Sequence, residues 1–385
     1  MRIALVSPYD WCVEGGVRSH IAHLAECFRE WGHDVTIFAP ASEPEKVRDE
    51  VVVMGKPRSL RVSGSVARIT FAWKSQEVKA ALTEGNFDVV HLHEPLMPLL
   101  PYHFLRNATS TTVGTFHAAK DGGNRFYGYT ARLTRRYFRK LDGKIAVSPA
   151  AVALVSRYFA GYFNVIPNGI DYEHFASEQP QLEEFMDGRH NILFVGRPEK
   201  RKGLKYLLRA YLRIREQEPN SRLIIVGAGD FSRYENLMKP FPDVVFRPYV
   251  PYDQLPRYQK SAEVVCCPNT GNESQGYVLL EAMAAGTPVV ASNIEGFAGV
   301  ITDEVDGVLV PPKDEDAIAA AVIRLLRNPQ LRQQLAIAGQ ARAAHFSWEH
   351  VARRVLSYYE RLLYEHRQVA EASSKRTPKV AEPTT

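Results

Sequence analysis

Short apolar runs alternate with amphipathic helical stretches along the whole chain, and the alternation restarts once past the midpoint. In the first half the runs are Ile3 to Ser7, Val35 to Ala39, Val51 to Met54, Val89 to His93, Val113 to His117 and Ile145 to Ser148. Helical patterns lie between them at roughly Gly16 to Trp31, Trp73 to Glu84, Tyr127 to Leu141 and Pro149 to Tyr158. The second half has Ile192 to Gly196, Leu223 to Val226, Val244 to Arg247, Val264 to Cys267, Val289 to Ser292 and Val308 to Val310, again with helices between. Continuous apolar runs separated by helices mark parallel sheets that are covered on both faces. The expected class is therefore α/β, with two doubly wound, Rossmann-like sheets. A chain of 385 residues is too long for one comfortable core, which agrees.

The junction falls at Asn164-Val165-Ile166-Pro167-Asn168-Gly169-Ile170-Asp171, where Pro, Asn and Gly favour a turn. This divides the chain into residues 1–168 and 169–349, with a hinge near Gly169. Trp348, Val351, Val355, Leu356, Tyr359, Leu362 and Leu363 follow at helical spacing, so this last helix, about residues 350–367, has an apolar stripe to bury. Residues 370–385 are polar and carry prolines, and are expected to be a disordered tail. Cys12, Cys27, Cys266 and Cys267 show no metal-ligand spacing, and the adjacent pair would make a strained disulfide; they read as free thiols in a reducing cytoplasm. No run is long enough to span a bilayer. The net charge of +5 suits an anionic partner, and it is concentrated between Lys120 and Lys144, where eight Lys or Arg and two Asp are interleaved with Phe126, Tyr127, Tyr129, Tyr137 and Phe138. No recognised nucleic-acid module accompanies that segment.

Three motifs carry chemistry. After the first strand, Glu14-Gly15-Gly16-Val17 opens a helix; glycines there let a phosphate approach the helix amides, although a plain tight turn has the same residues. The spacing is not Gly-x-Gly-x-x-Gly and no acidic residue closes the next strand, which disfavours a dehydrogenase. In the second half Val195-Gly196-Arg197 ends a strand and Lys200-Arg201-Lys202-Gly203 precedes a helix, so that cations gather at a sheet edge where a diphosphate leaving group can be neutralised; a solvated basic turn is the alternative. Finally, Pro268 ends a strand, and a glycine-rich loop carries Glu273, with Glu281 eight residues later. Eight residues is about two helical turns, so both carboxylates are placed to face one crevice and accept bonds from vicinal diols.

The stretch from Glu273 to Glu281 resembles the E-x-x-G-x-x-x-x-E signature of the retaining glycosyltransferases of family 4. Gly15-Gly16-Val17, Gly64-Ser65-Val66-Ala67-Arg68, His91-Leu92-His93-Glu94-Pro95, Thr115-Phe116-His117 and Pro167-Asn168-Gly169 extend the resemblance over nearly the whole chain. It implies a GT-B fold: an acceptor-binding first domain, completed by the C-terminal helix crossing back to it, and a donor-binding second domain. It implies transfer of a hexose with retention, most closely mannose from GDP-mannose onto phosphatidyl-myo-inositol. No cofactor is required; Mg2+ can be present but is not needed, because protein cations replace it, and no residue is expected to ligate a metal. Tyr9 and the Gly16 amide are implied at the donor, Arg197, Arg201 and Lys202 at its diphosphate, and Val250 and Leu255 at its base. Glu273, with Ser274, Gln275 and Gly276, is implied at the sugar and Glu281 at the ribose. His117 is implied as a catalytic contact to the transferred sugar, beside Arg197, Lys202 and Glu273. The implied mechanism is front-face displacement; the rival, double displacement, has only Asp10 and Glu14 as nearby carboxylates.

The acceptor side departs from the pattern. Arg68 matches, with Tyr9 beside it, but Val62-Ser63 stands where a Tyr-Asn pair is implied, and Arg18 where a glutamine is implied. The helix expected to be rich in basic residues has only Lys74 and Lys79, with Glu77. Contact with an anionic membrane lipid surface is then expected through Arg132, Arg135, Arg136, Arg139 and Lys140 of the 125–144 segment, a solvated basic helix being the alternative. The expected location is cytoplasmic, peripheral on the inner face of the cell membrane. Two alternatives stay open: the same fold with a UDP-sugar donor and a diacylglycerol or polysaccharide-precursor acceptor, and a non-catalytic nucleotide-binding membrane adaptor.

Overall fold

The computed structural model describes the chain apart from residues 48–49, 56–57, 63–64, 70–74, 98–99, 120–121 and 377–385. The first half contributes strands β1 (Arg2–Val6), β2 (Asp34–Ala39), β3 (Val51–Val53), β4 (Arg58–Val62), β5 (Ser65–Ile69), β6 (Val89–His93), β7 (Thr111–Phe116), β8 (Gly143–Ala146) and β9 (Asn164–Val165). Among the described residues, all but β4 and β5 form one sheet in the order β3-β2-β1-β6-β7-β8-β9, and every pairing is parallel. The second half contributes β10 (His190–Val195), β11 (Ser221–Val226), β12 (Val244–Arg247), β13 (Val264–Cys267), β14 (Val289–Ser292) and β15 (Val308–Val310). These form a second parallel sheet in the order β12-β11-β10-β13-β14-β15.

The apolar runs dictate this arrangement. Ile3, Ala4, Leu5 and Val6 of β1 are fully buried, because helices cover both faces of the sheet. One face packs Ile3, Leu5 and Val89 against Ile21, Leu24 and Phe28 of the Gly16–Glu30 helix. The C-terminal helix, Trp348–Arg376, joins that same cluster through Trp348, Val351, Val355, Tyr359 and Leu362. Its apolar stripe is thus buried on the first sheet, each large side chain contributing about 1.5–3 kcal/mol. In the second half Ile192, Phe194 and Leu223 pack against Leu207, Leu208 and Tyr211 of the Leu204–Gln217 helix, and against Ile318 and Val322 of the Glu315–Arg327 helix.

Both sheets reverse their strand order at one place, between β1 and β6 and between β10 and β13. Crevices outside the carboxyl ends of strands at such reversals are where open parallel sheets bind ligands. The residues singled out from the sequence follow β1, β7, β10 and β13.

Some features differ from expectation. A helix at Leu100–Asn107 and the antiparallel β4–β5 hairpin had no counterpart in the apolar pattern. The final helix continues to Arg376, so the expected tail is helical over its first seven residues; 377–385 lie outside the described residues. All four cysteines are free, Cys266 and Cys267 being buried in β13.

Candidate active site

Cations, carboxylates and a helix amino terminus meet around a cavity of about 850 Å³ lined by residues of both halves, among them Gly16, His117, Asn168, Arg201, Glu273 and Tyr277.

On the second-sheet side, the turn Lys200–Lys202 follows β10, and Gly203 ends it in the left-handed region at φ +72°. A Cβ on Gly203 would stand 1.8 Å from the carbonyl oxygen of Pro268, so only glycine lets this cationic turn press against the end of β13. The close approach delivers two cations to Glu273: Lys202 Nζ donates to its Oε2 at 2.7 Å and Arg201 Nη1 at 2.9 Å. Asn269 Nδ2 donates to the same oxygen at 2.9 Å. Oε1 receives none of these bonds. Arg201 also donates to Glu199 at 2.7 Å. Arg197 is exposed after β10 and is not among the residues lining the cavity.

Glu281 lies on the Tyr277–Ala284 helix that follows the loop. Burial pushes its carboxyl up to about 7, against the pull of the Lys202 charge. Its charge in turn reaches Tyr252 and Tyr277, whose phenols are raised by burial first and by Glu281 second. Glu273, Glu281 and Lys202 thus form one electrostatic cluster. Val250 and Leu255 are half-buried and pack against the core cluster that contains Tyr258, Leu279 and Leu280.

Across the cavity, the Gly16–Glu30 helix starts from an extended Gly15 and has no side-chain cap, leaving its first amides to a ligand or water. An added Cβ on Gly16 would be 3.4 Å from Tyr277 Cε2, so this helix end abuts the second half directly. Tyr9 is half-buried, and burial and the Glu94 charge raise its phenol. His117 follows β7, with Nε2 2.9 Å from His93 Nδ1. Glu94 fixes the backbone there: its Oε1 accepts from the amides of His117 at 2.8 Å and Ala118 at 3.0 Å, and its Oε2 from the Tyr127 hydroxyl at 3.2 Å. Asp10 is held in its loop, accepting from the amides of Cys12 and Ser42.

Not every expected residue reaches this cavity. The side chain of Gln275 is turned to the junction, where it bonds the backbone of Asn168, so only its main chain remains for a donor. Arg18 lies over the Trp11 ring at 5.5 Å and lines a different cavity of about 710 Å³ with Trp11, Cys12, Glu43 and Lys46. Val62 and Arg68 are on the β4–β5 hairpin, and Ser63 lies outside the described residues. Asn168, Tyr277, Glu94, His20 and His93 were not singled out as site residues from the sequence. Their signal was positional: each stands within or next to a stretch that matched the resemblance, apart from His20.

Residues 14–174 match the model of Glycosyltransferase Family 4, and residues 176–342 that of Glycosyl transferases group 1. The chain is 38% identical over 366 residues to the phosphatidyl-myo-inositol mannosyltransferase of Mycolicibacterium smegmatis, covering 94% of each chain. It is 37% identical to the enzyme of that name from Mycobacterium leprae, over 97% of this chain and all of that one. The chain belongs to the family 4 glycosyltransferases. Its fold matches sucrose-phosphate synthase of Thermosynechococcus elongatus with a TM-score of 0.73 at 22% identity, over 94% of this chain and 99% of that one. Anabaena HepE, solved in complex with UDP, matches with a TM-score of 0.72 at 17% identity, over 94% and 100% of the two chains. The two parallel sheets of this glycosyltransferase are accordingly a GT-B pair.

Proposed function

We propose that this glycosyltransferase moves mannose from GDP-mannose onto phosphatidyl-myo-inositol with retention at the anomeric carbon. The observation that carries the reading is the convergence of Lys202 and Arg201 on Glu273 opposite the uncapped helix at Gly16, in a chain 37–38% identical to enzymes bearing that name.

In this reading the donor diphosphate lies between the Gly16 helix amides and the cations Lys202, Arg201 and Arg197, which stabilise the charge it gains as the bond to the sugar breaks. Glu273, held by three donors on Oε2, offers Oε1 to a sugar hydroxyl. Glu281 takes the ribose diol, Tyr9 and His117 border the sugar, and Val250 and Leu255 border the base. The acceptor oxygen attacks the anomeric carbon from the face the diphosphate leaves, and its proton passes to a leaving-group oxygen. Asp10, occupied by two backbone amides, is poorly placed as a covalent nucleophile, which favours this route over double displacement. Neither a cofactor nor Mg2+ is needed in this scheme. Residues 1–168 with the C-terminal helix bind the acceptor, through Tyr9, Arg18, Val62, Ser63 and Arg68, and residues 169–349 bind the donor.

The acceptor is a lipid, so the protein must reach a membrane surface, and no helix among the described residues is long and apolar enough to cross one. The Arg125–Lys140 helix supports peripheral contact: Tyr129, Arg132, Leu133 and Arg136 recur at helical spacing on its exposed side, with Tyr129 82% and Leu133 73% exposed. The opposite side buries Tyr127, Tyr137 and Phe138.

The test is incubation of the protein with GDP-mannose and phosphatidylinositol liposomes without added divalent metal, with Glu273→Ala as the blank and UDP-hexoses in parallel. A mannosylated lipid formed by the wild type alone is expected. Transfer only from a UDP-hexose, or only to another acceptor, overturns the donor or acceptor assignment.

A further inference from the structure

Four histidines, His20, His91, His93 and His117, crowd around the central strand β6 of the first sheet, and they differ in one respect. His91 has both ring nitrogens engaged, Nε2 with Thr115 Oγ1 at 2.6 Å and Nδ1 with the Tyr359 hydroxyl at 2.5 Å. His20 and His93 do not: His20 Nδ1 and His93 Nε2 are buried without a hydrogen-bond partner, in side chains 2% and 0% exposed. A buried polar atom left unpaired costs about 1–3 kcal/mol, so two in one place call for an explanation.

His20 comes from the Gly16–Glu30 helix, His93 from the end of β6 and His117 from just after β7. One ligating nitrogen from each of the three lies within 4.8 Å of the other two. The ring of His20 meets those of His93 and His117 edge-on at 5.4 and 5.0 Å, while His93 and His117 stack at 5.2 Å and share the Nδ1–Nε2 contact of 2.9 Å that a bound cation would replace.

We propose that His20, His93 and His117 form a binding site for a borderline transition-metal cation of the zinc class, with a fourth position open to the cavity. Three protein ligands and one open position is the arrangement of reactive, exchangeable zinc sites, as against closed structural ones. Imidazole selects zinc, nickel or copper over Mg2+, which needs oxygen ligands. Burial keeps the rings neutral, which a metal requires: it lowers His20 to about 4 and holds His93 and His117 well below the ordinary histidine value. Zinc–nitrogen bonds of about 2.1 Å set tetrahedral nitrogens about 3.4 Å apart, so side-chain adjustments of about 1 Å complete the site. Asn168, whose amide acts on both His20 and His117, lies beside it at the junction of the two halves.

The consequence is inhibition, which rests on the proposed role of His117 at the sugar. A cation on His117 occupies the ring proposed to border the sugar, so zinc-class metals act as a brake on transfer while Mg2+ does not. The metal binding itself is independent of that role.

The experiment titrates the chelator-treated full chain with Co2+ and Zn2+ in the absence of donor, reading the visible absorption of bound Co2+ and the thermal midpoint with Zn2+. One equivalent of tetrahedral Co2+, displaced by Zn2+, is expected. His20→Gln and His93→Gln should each weaken binding at least 100-fold while keeping the folded far-UV spectrum, and His345→Gln, at an exposed position away from the three rings, should leave it unchanged. Binding that survives both substitutions, or no saturable binding by the wild type, overturns the site. Because no donor is present, neither result bears on the sugar or acceptor assignment.

Discussion

Gln275 holds Asn168 at both ends of its amide: Oε1 accepts from the Asn168 amide at 2.7 Å and Nε2 donates to the Asn168 carbonyl at 2.8 Å. This mimics a strand pairing across the junction of the two halves, with both residues buried. Removing the side chain leaves a buried backbone donor and acceptor unpaired. Gln275→Ala is expected to destabilise the protein by about 1–3 kcal/mol, read as a lowered urea midpoint. The donor KM should rise as well, because the same loop carries Glu273; an unchanged midpoint would show that water replaces the amide.

The cations on Glu273 make a separate prediction. Lys202 is the less exposed of the two and is also felt by Glu281, so it bears most on charge developing in the cavity. Lys202→Met should lower kcat by about 100- to 1000-fold, the usual cost of losing one preorganised donor to a leaving group. Arg201→Met should cost less, since Arg201 is 36% exposed and divided between Glu199 and Glu273. Equal losses in steady-state transfer assays would contradict this ranking.

Glu281 ties the site to pH. Its carboxyl is raised from 4.5 to about 7, mainly by burial, so the folded protein holds a proton that the unfolded chain releases between those values. Stability attributable to this group therefore falls as pH rises from about 4.5 to 7, and the penalty is complete above 7. Glu281→Gln should raise the thermal midpoint at pH 8 and give little gain at pH 4.5. Donor affinity should fall in the same variant, because an amide accepts fewer diol hydrogen bonds than a carboxylate. A variant stabilised equally at both pH values would remove burial of charge as the cause.

Much of this was legible in the sequence because each parallel strand is a continuous apolar run bounded by turn residues, as in Val264–Cys267 before Pro268. The spacing of Glu273 and Glu281 likewise set two carboxylates toward one crevice; that Lys202 lies near both comes from the fold. What was not legible depends on contacts far apart in the chain. Nothing local to Gln275 says that its amide turns to Asn168, 107 residues away. His20 reads as an apolar-face histidine of a helix until β6 and β7 bring His93 and His117 beside it. Arg18 was expected at the acceptor, close to the glycine turn, but two residues past Gly16 is about 200° around the helix, and its guanidinium lies over Trp11.

The exposed side of the Arg125–Lys140 helix carries the last prediction. Arg132, Arg136 and Arg139 are exposed, and Leu133 and Tyr129 stand among them with large apolar surfaces in solvent. Each basic residue at an anionic bilayer contributes about 1 kcal/mol, so replacing all three arginines by serine should weaken binding to phosphatidylinositol vesicles about 100-fold in low salt. The loss should shrink as salt rises, because exposed charges are screened within about 10 Å at 0.1 M. Leu133→Ser acts through apolar burial and should weaken binding to a degree that salt does not alter. Vesicle co-sedimentation at two salt concentrations separates the two terms. If the arginine variant binds like the wild type, the basic face is a solvated helix surface and lipid contact must come from elsewhere in the first half.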